Sequence, residues 1–315
     1  MSEFVATIGA FDGVHRGHRA LVAATLADAR GRGMRAVGFT FSEDPAHVLA
    51  PERAPRDLLS CEDRARLLRT LGLDEVVVIP FDARMAACPY AQFVDEQLGA
   101  CGTLRGLHVG ADFRAGARGA GTPQALAELG AERGFDVTVE PYATCAGERV
   151  SATRIRSLVA DGEVARAAEL LGRPHYVRGQ VEHGRGQGSA FGFPTANVNV
   201  DGRLCLPAEG VYEGFVHVGE TAYPAAINVG KPRSLEFAGE RGAAFLEAFL
   251  LGFAGDLYGA PVAVSFTRWL RAPRAFASLA ELEATVLANI EQVRERLGDA
   301  GLSLAPGDAC DVVGS

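Results

Sequence analysis

At 315 residues the chain is longer than the ~100–150 of a typical single domain, so two domains are expected. Hydrophobic residues make up 48% and charged residues 22%, which excludes intrinsic disorder, and no run nears the ~18–20 apolar residues of a membrane span. The net charge of −8 excludes a surface that coats nucleic acid, which requires a basic face.

The N-terminus, MSEFVATIGAFDGVH, lacks a basic stretch followed by an apolar one, so no signal peptide is expected. Strand-like runs follow at 4–11, 36–41, 75–81, 104–110 and 135–141. Helical patterns lie between them at 18–31, 61–72, 90–99 and 122–134, with Ser60 placed to cap the second. Strands alternating with helices imply crossover connections and a parallel sheet. Two further helices are expected at 151–162 and 163–172. The texture then turns glycine-rich, with short alternating runs at 176–184, 210–219, 222–230, 245–253 and 261–270 that suit a small antiparallel β-barrel. A last helix is predicted at 278–297, with Ser278 and Glu281 forming a capping box. The expected layout is therefore a Rossmann-like domain over 1–174, a barrel with its terminal helix over 175–298, and a loose tail over 299–315.

The cysteines at 61, 88, 101, 145, 205 and 310 form no C-x-x-C pair and no Cys/His ligand cluster. That spacing argues against zinc and a disulfide framework and for a reducing, cytoplasmic setting. The only lysine, Lys231, stands outside any P-loop pattern, so ATP chemistry here would run without a P-loop lysine.

The richest segment is GAFDGVHRGHRAL (9–21). A strand ends at Gly9, a glycine-spaced turn follows, and His15-x-Gly17-His18 opens a helix. Residues three apart share a helix face, and helix N-termini attract phosphates through free N–H groups and the dipole. Gly13 and Gly17 allow close backbone approach, and two imidazoles there suit stabilisation of charge on phosphorus oxygens. The plainer alternative is that each histidine caps local structure. A second cluster, VSATRIR (150–156), offers the Ser151 and Thr153 hydroxyls and the forks of Arg154 and Arg156, although Ser151 is also an ordinary helix cap. In the later domain, Gly184, Gly186 and Gly188 precede FGFPTAN (191–197). Thr195 and Asn197, two apart, share one face if extended, and their oxygens suit Mg²⁺ beside ATP phosphates. Glu247 is the lone acid in AAFLEAFLLGF (243–253), as a general base or on the solvated face of an alternating strand.

GAFDGVHRGHRAL, FDARMAACPYAQFVDEQL (81–98), VGADFRAGARGAG (109–121) and VSATRIR resemble the adenylyltransferase half of bacterial bifunctional riboflavin kinase/FAD synthetases. The order G-x-V-x-H-G, G-F-P-T-A-N, LPAEGVYEG (206–214), INVGKP (227–232), LEAFLL (246–251), DLYG (256–259) and RWLR (268–271) resembles the riboflavin kinase barrel. The resemblance implies His15 and His18 on the ATP phosphates and the turn Gly9, Phe11, Asp12, Gly13 and Gly17 at the nucleotide. It implies Ser151, Thr153 and Arg154 on the triphosphate side and Asp112 and Phe113 at the flavin. In the barrel it implies the glycine flap and Pro194 at the nucleotide, Thr195 and Asn197 on Mg²⁺, and Glu247 as base. The expected substrates are ATP, riboflavin and FMN, with FAD as product and self-association left open. Two departures stand out: Asp44 replaces the histidine of a Pro-His-Pro run, with His47 three residues late, and Ala115 replaces a phenylalanine in DFRAG (112–116). They leave room for a kinase whose first domain has decayed, or for a flavin-binding protein without activity.

Overall fold

Buried β-branched and aromatic runs form the first sheet. β1 (Glu3–Ile8), β2 (Arg35–Phe41), β3 (Glu75–Ile79), β4 (Thr103–Gly110) and β5 (Asp136–Glu140) are all parallel, in the order β3-β2-β1-β4-β5. Phe4, Ala6 and Ile8 of the central strand pack with Val37, Phe39, Leu107 and Val109, the continuous apolar runs that a sheet covered on both faces requires. The connections carry α1 (Arg16–Arg32), α2 (Pro45–Leu49), α3 (Cys61–Thr70), α4 (Ala83–Ala86), α5 (Tyr90–Phe93) and α6 (Pro123–Arg133). Ser60 caps α3 as expected, its hydroxyl accepting the Asp63 N–H at 3.1 Å. This is the doubly wound α/β architecture, in which ligands bind beyond the strands' carboxyl ends.

One local expectation needs correction. The helix predicted over 90–99 is α-helical only to Phe93; Val94–Leu98 widens into a π-turn that buries Phe93, Val94 and Leu98 together. Their spacing fits an i→i+5 turn better than a 3.6-residue one. The segment after β5 also forms a hairpin, β6 (Thr144–Cys145) with β7 (Glu148–Arg149), turning at Ala146 and Gly147 with φ of 50° and 80°. Positive φ at both central residues matches hairpin twist.

The computed structural model describes residues 2–182, 195–230 and 245–303. The chain folds as two compact units, Met1–Ala152 and Thr153–Ser315. α7 (Ala152–Ala160) and α8 (Val164–Leu171) thus go almost wholly with the second unit, where Val164 joins the barrel core beside Val177, Val264 and Phe266.

The barrel strands are β8 (His175–Glu182), β9 (Thr195–Val200), β10 (Gly210–Val218), β11 (Thr221–Gly230), β12 (Phe245–Leu250) and β13 (Pro261–Arg271). They pair antiparallel in the order β10-β13-β8-β9-β12-β11, and a β10–β11 pairing closes the ring. Closure leaves no free edge among the six. α9 (Leu279–Leu297) begins at Ser278, whose hydroxyl accepts the Glu281 N–H at 3.2 Å, and lays Ile290 and Val293 on Leu251. Arg296 reaches the buried Glu213 of β10 at 3.2 Å, fastening the helix end to the barrel. The expected loose tail is not wholly loose. Within it, β14 (Leu302–Ser303) pairs with Ala222 and Thr221 of β11, a contact too short to leave any periodic signal in sequence.

Candidate active sites

In the first unit the chain leaves β1 through a strained turn. Phe11, Gly13 and Val14 have φ of 51°, 78° and 41°. Glycine takes such values freely, whereas a β-branched valine there is an outlier, and strain of that kind concentrates at functional sites. The buried Asp12 carboxylate accepts the N–H groups of Leu58 (2.9 and 3.1 Å) and Leu59 (3.1 Å). Asp12 therefore ties this turn to the start of α3. Thr40 on β2 donates to the Ala10 carbonyl at 3.3 Å, and the Gly9 N–H donates to Phe39 at 3.1 Å.

His15 and His18 converge more tightly than helix spacing alone implies. His15 is the N-cap of α1, its Nδ1 accepting the His18 N–H at 3.3 Å. The two rings stack, with centroids 3.6 Å apart and an interplanar angle of 13°. Phe11 meets His18 edge-on at 5.2 Å. The plain capping alternative thus describes one ring nitrogen of His15 and does not extend to His18. A Cβ on Gly17 would come within 3.2 Å of the His15 ring, so glycine here makes room for the imidazole. The His18 Nδ1 is buried without a hydrogen-bond partner. Burial, then the neighbouring His15 and Arg64 charges, hold the His18 pKa well below the ordinary histidine value. At a helix N-terminus, a stacked imidazole pair whose His18 ring is disfavoured from charging can offer N–H donors to a phosphate.

Asp44 caps α2, accepting the Ala46 N–H at 2.9 Å, and His47 pairs with Asp57 at 3.1 Å. His47 is thus engaged elsewhere and does not stand in for the replaced histidine. Asp112 and Phe113 follow the carboxyl end of β4, next to β1. Asp112 pairs with Arg149 at 2.8 Å, Arg149 lies 3.4 Å over the Tyr142 ring, and Phe113 packs at the core's margin. Ala115 exchanges backbone hydrogen bonds with Gly121 at 3.0 and 2.8 Å, closing a turn over Tyr90. Ser151 belongs to the first unit, while Thr153 and Arg154 lie on α7 of the second.

In the second unit the barrel register assembles the other cluster. β9 and β12 set Asn197 directly opposite Glu247. Ala196, Val198, Leu246 and Ala248 point inward, which puts Thr195, Asn197 and Glu247 together on the outer face. The Thr195 hydroxyl donates to the Glu247 carboxylate. Glu247 thus does lie on the outer face of an alternating strand, yet half-buried and hydrogen-bonded. Asn228 of β11 sits opposite Glu247 on its other side. The sequence reading did not single it out, though the alternation of INVG carries the signal. Nor did it single out a groove between α9 and the segment after β13, where Arg271, Pro273, Arg274, Ala284, Ala288 and Asn289 face one another. Phe249, two residues from Glu247 on the same face, packs beneath α9 with Ile290 and Val293. Gly184, Gly186, Gly188 and Pro194 lie outside the described residues.

A parallel-sheet unit with a histidine turn and a closed barrel with a hydroxyl–amide–carboxylate cluster define a two-module class of nucleotide-using transferases. Residues 1–154 match the family described as FAD synthetase and residues 171–297 the family described as riboflavin kinase. The bifunctional riboflavin kinase/FMN adenylyltransferase of Escherichia coli K12 is 38% identical over 295 residues, 93% of each chain. Those of Pseudomonas fluorescens and Bacillus subtilis are 36% and 31% identical, over 92% and 88% of this chain and 92% and 87% of theirs. A crystal structure from Streptococcus pneumoniae, described as a macrolide-efflux protein, superposes with a TM-score of 0.83 at 30% identity, covering 93% of this chain and 94% of that one. Among the described residues here no helix is long and apolar enough to cross a membrane. The chain belongs to the bifunctional riboflavin kinase/FMN adenylyltransferase family.

Proposed function

We propose that the protein phosphorylates riboflavin to FMN in its barrel and adenylylates FMN to FAD in its first unit, releasing pyrophosphate. The observation that carries the kinase half is the register that sets Glu247 opposite Asn197 with Thr195 donating to its carboxylate. In this reading the riboflavin 5′-hydroxyl attacks the γ-phosphorus of ATP and gives its proton to Glu247. The flavin ring lies in the groove beside α9, whose apolar alanines and proline suit a planar ring and whose polar residues suit its edge. Thr195 and Asn197 offer hard oxygens, the donor chemistry Mg²⁺ accepts, and the ion when bound would neutralise charge on the ATP phosphates. Gly184, Gly186, Gly188 and Pro194 are assigned to the nucleotide by the family resemblance alone.

For adenylyl transfer the nucleophile is a phosphate oxygen of FMN, already largely dianionic because its second pKa is ~6. That step needs no general base, which suits the imidazoles of His15 and His18 and the hydroxyl of Ser151 in the first unit; Thr153 and Arg154 are assigned to the triphosphate by the family resemblance alone. Asp112 and Phe113 are assigned to the flavin, and Gly9, Phe11, Asp12, Gly13 and Gly17 to the nucleotide turn. The protein is taken to work in the cytoplasm, where its scattered thiols stay reduced.

The monofunctional alternative draws on Asp44 and Ala115, and the match of residues 1–154 to FAD synthetases weighs against it. Incubation with riboflavin, ATP and Mg²⁺, with FMN and FAD separated by chromatography, decides between them. FMN should appear first and FAD after it. FMN alone would refute the adenylyltransferase half, and neither product would refute both.

A further inference from the structure

Arg64 on α3 is one of the largest fully buried side chains, 2% exposed. Its Nη2 donates to the Phe41 carbonyl, its Nε is buried with no acceptor, and no carboxylate pairs with it among the described residues. Other arginines of this unit are treated differently. Arg32 pairs with Asp28 at 2.7 Å, Arg35 with Glu75 at 2.9 Å and Arg66 with Asp63 at 3.1 Å. A guanidinium taken out of water without a counter-charge is strongly destabilising, and leucine or methionine would fill the space at less cost. The position therefore needs another reason.

Its location supplies one. Phe41 is the last residue of β2, so the guanidinium sits at the carboxyl end of the sheet, where doubly wound folds bind their ligands. The Arg64 charge is felt at the His18 ring, whose Nδ1 is likewise buried without a partner. The two are also mechanically joined. Asp12 ties the histidine turn to Leu58 and Leu59, Ser60 caps α3, and the Arg64 N–H donates to the Ser60 carbonyl at 3.0 Å. One rigid piece thus carries an uncompensated cation, a stacked imidazole pair with a partnerless buried nitrogen and a helix N-terminus, an arrangement that is complete only with an anion present.

We propose that Arg64 is the built-in counter-charge for the nucleotide's polyphosphate at the adenylyl-transfer site, a positioning residue whose charge is balanced only when that anion is bound. The proposal rests on the adenylyltransferase reading above. Nothing in the sequence singles Arg64 out, since an arginine in CEDRARLLRTLG reads as an ordinary solvated helix position.

The test uses the full chain as wild type, Arg64→Met and Arg64→Lys. Thermal melting is followed without ligand, with inorganic pyrophosphate and with uncharged adenosine, and FAD formation is measured against ATP concentration. The wild type should gain stability from pyrophosphate beyond any gain from adenosine. Ligand-free Arg64→Met should melt at or above the wild-type temperature, lose the pyrophosphate gain, and form FAD about 10²-fold or more slowly. Arg64→Lys should recover part of both, and riboflavin phosphorylation should be unchanged in either variant. An Arg64→Met protein that fails to fold, or melts well below the wild type, overturns the proposal, because it would make Arg64 a structural residue. So does one that keeps the pyrophosphate gain and wild-type FAD formation. A wild type that neither makes FAD nor responds to pyrophosphate overturns the adenylyltransferase reading itself.

Discussion

Glu247→Gln separates chemistry from architecture at the proposed kinase site. Glutamine keeps the side-chain shape and an oxygen that can accept the Thr195 hydroxyl, so the hydrogen bond across β9 and β12 survives. What changes is its strength: bonds to a charged acceptor are worth ~1.5–3 kcal/mol against ~0.5–1.5 for neutral pairs. The half-buried setting discounts that difference to about 1 kcal/mol or less. A loss of that size lowers the melting temperature by roughly 2–4 °C in a domain of this class. Removing a general base, in contrast, slows proton transfer by ~10²–10⁴-fold, or ~3–5 kcal/mol of barrier. The two effects differ enough to be read separately. Initial rates of FMN formation, by chromatography under saturating ATP and riboflavin, should fall by at least ~10²-fold while the protein stays folded at assay temperature. Near-normal FMN formation in a folded Glu247→Gln protein would refute the assignment of Glu247 as base.

His18→Ala should leave FMN formation intact and make FMN accumulate without FAD, at a cost of ~10²–10³-fold in adenylylation; equal FAD production by variant and wild type would remove His18 from the mechanism. The buried His175, hydrogen-bonded to the Cys205 carbonyl, has its pKa lowered to about 4, first by burial. Because the folded state binds this proton less readily, its contribution is full above pH 6.5 and fades as pH falls toward 4, by ~3 kcal/mol in all. Urea titrations followed by Trp269, the single tryptophan and a residue of the barrel wall, should show midpoints falling through that window, less steeply in His175→Asn. Since Val164 of α8 packs in the barrel core, a fragment of residues 153–315 should phosphorylate riboflavin and melt higher than one of residues 175–315. Equal melting of the two would show that α8 adds nothing to the barrel.

Much of the architecture was written locally. Alternating apolar runs and caps such as Ser60 and Ser278 announced the strands and helices, because propensity and burial periodicity act over a few residues. His15-x-Gly17-His18 announced the opening of α1 for the same reason. Pairing across the chain was not legible. That Asn197 faces Glu247, that Asn228 stands on its far side and that β14 returns to β11 all depend on register between distant segments. The same holds for the charges. In sequence Arg64 resembles Arg66, and only the packed structure leaves one with a carboxylate and the other buried beside a histidine pair with none. A residue's spacing along the chain fixes which face of its own element it occupies. Whether that face meets water, a carboxylate or an empty acceptor is decided by the elements packed against it, which only tertiary structure brings together.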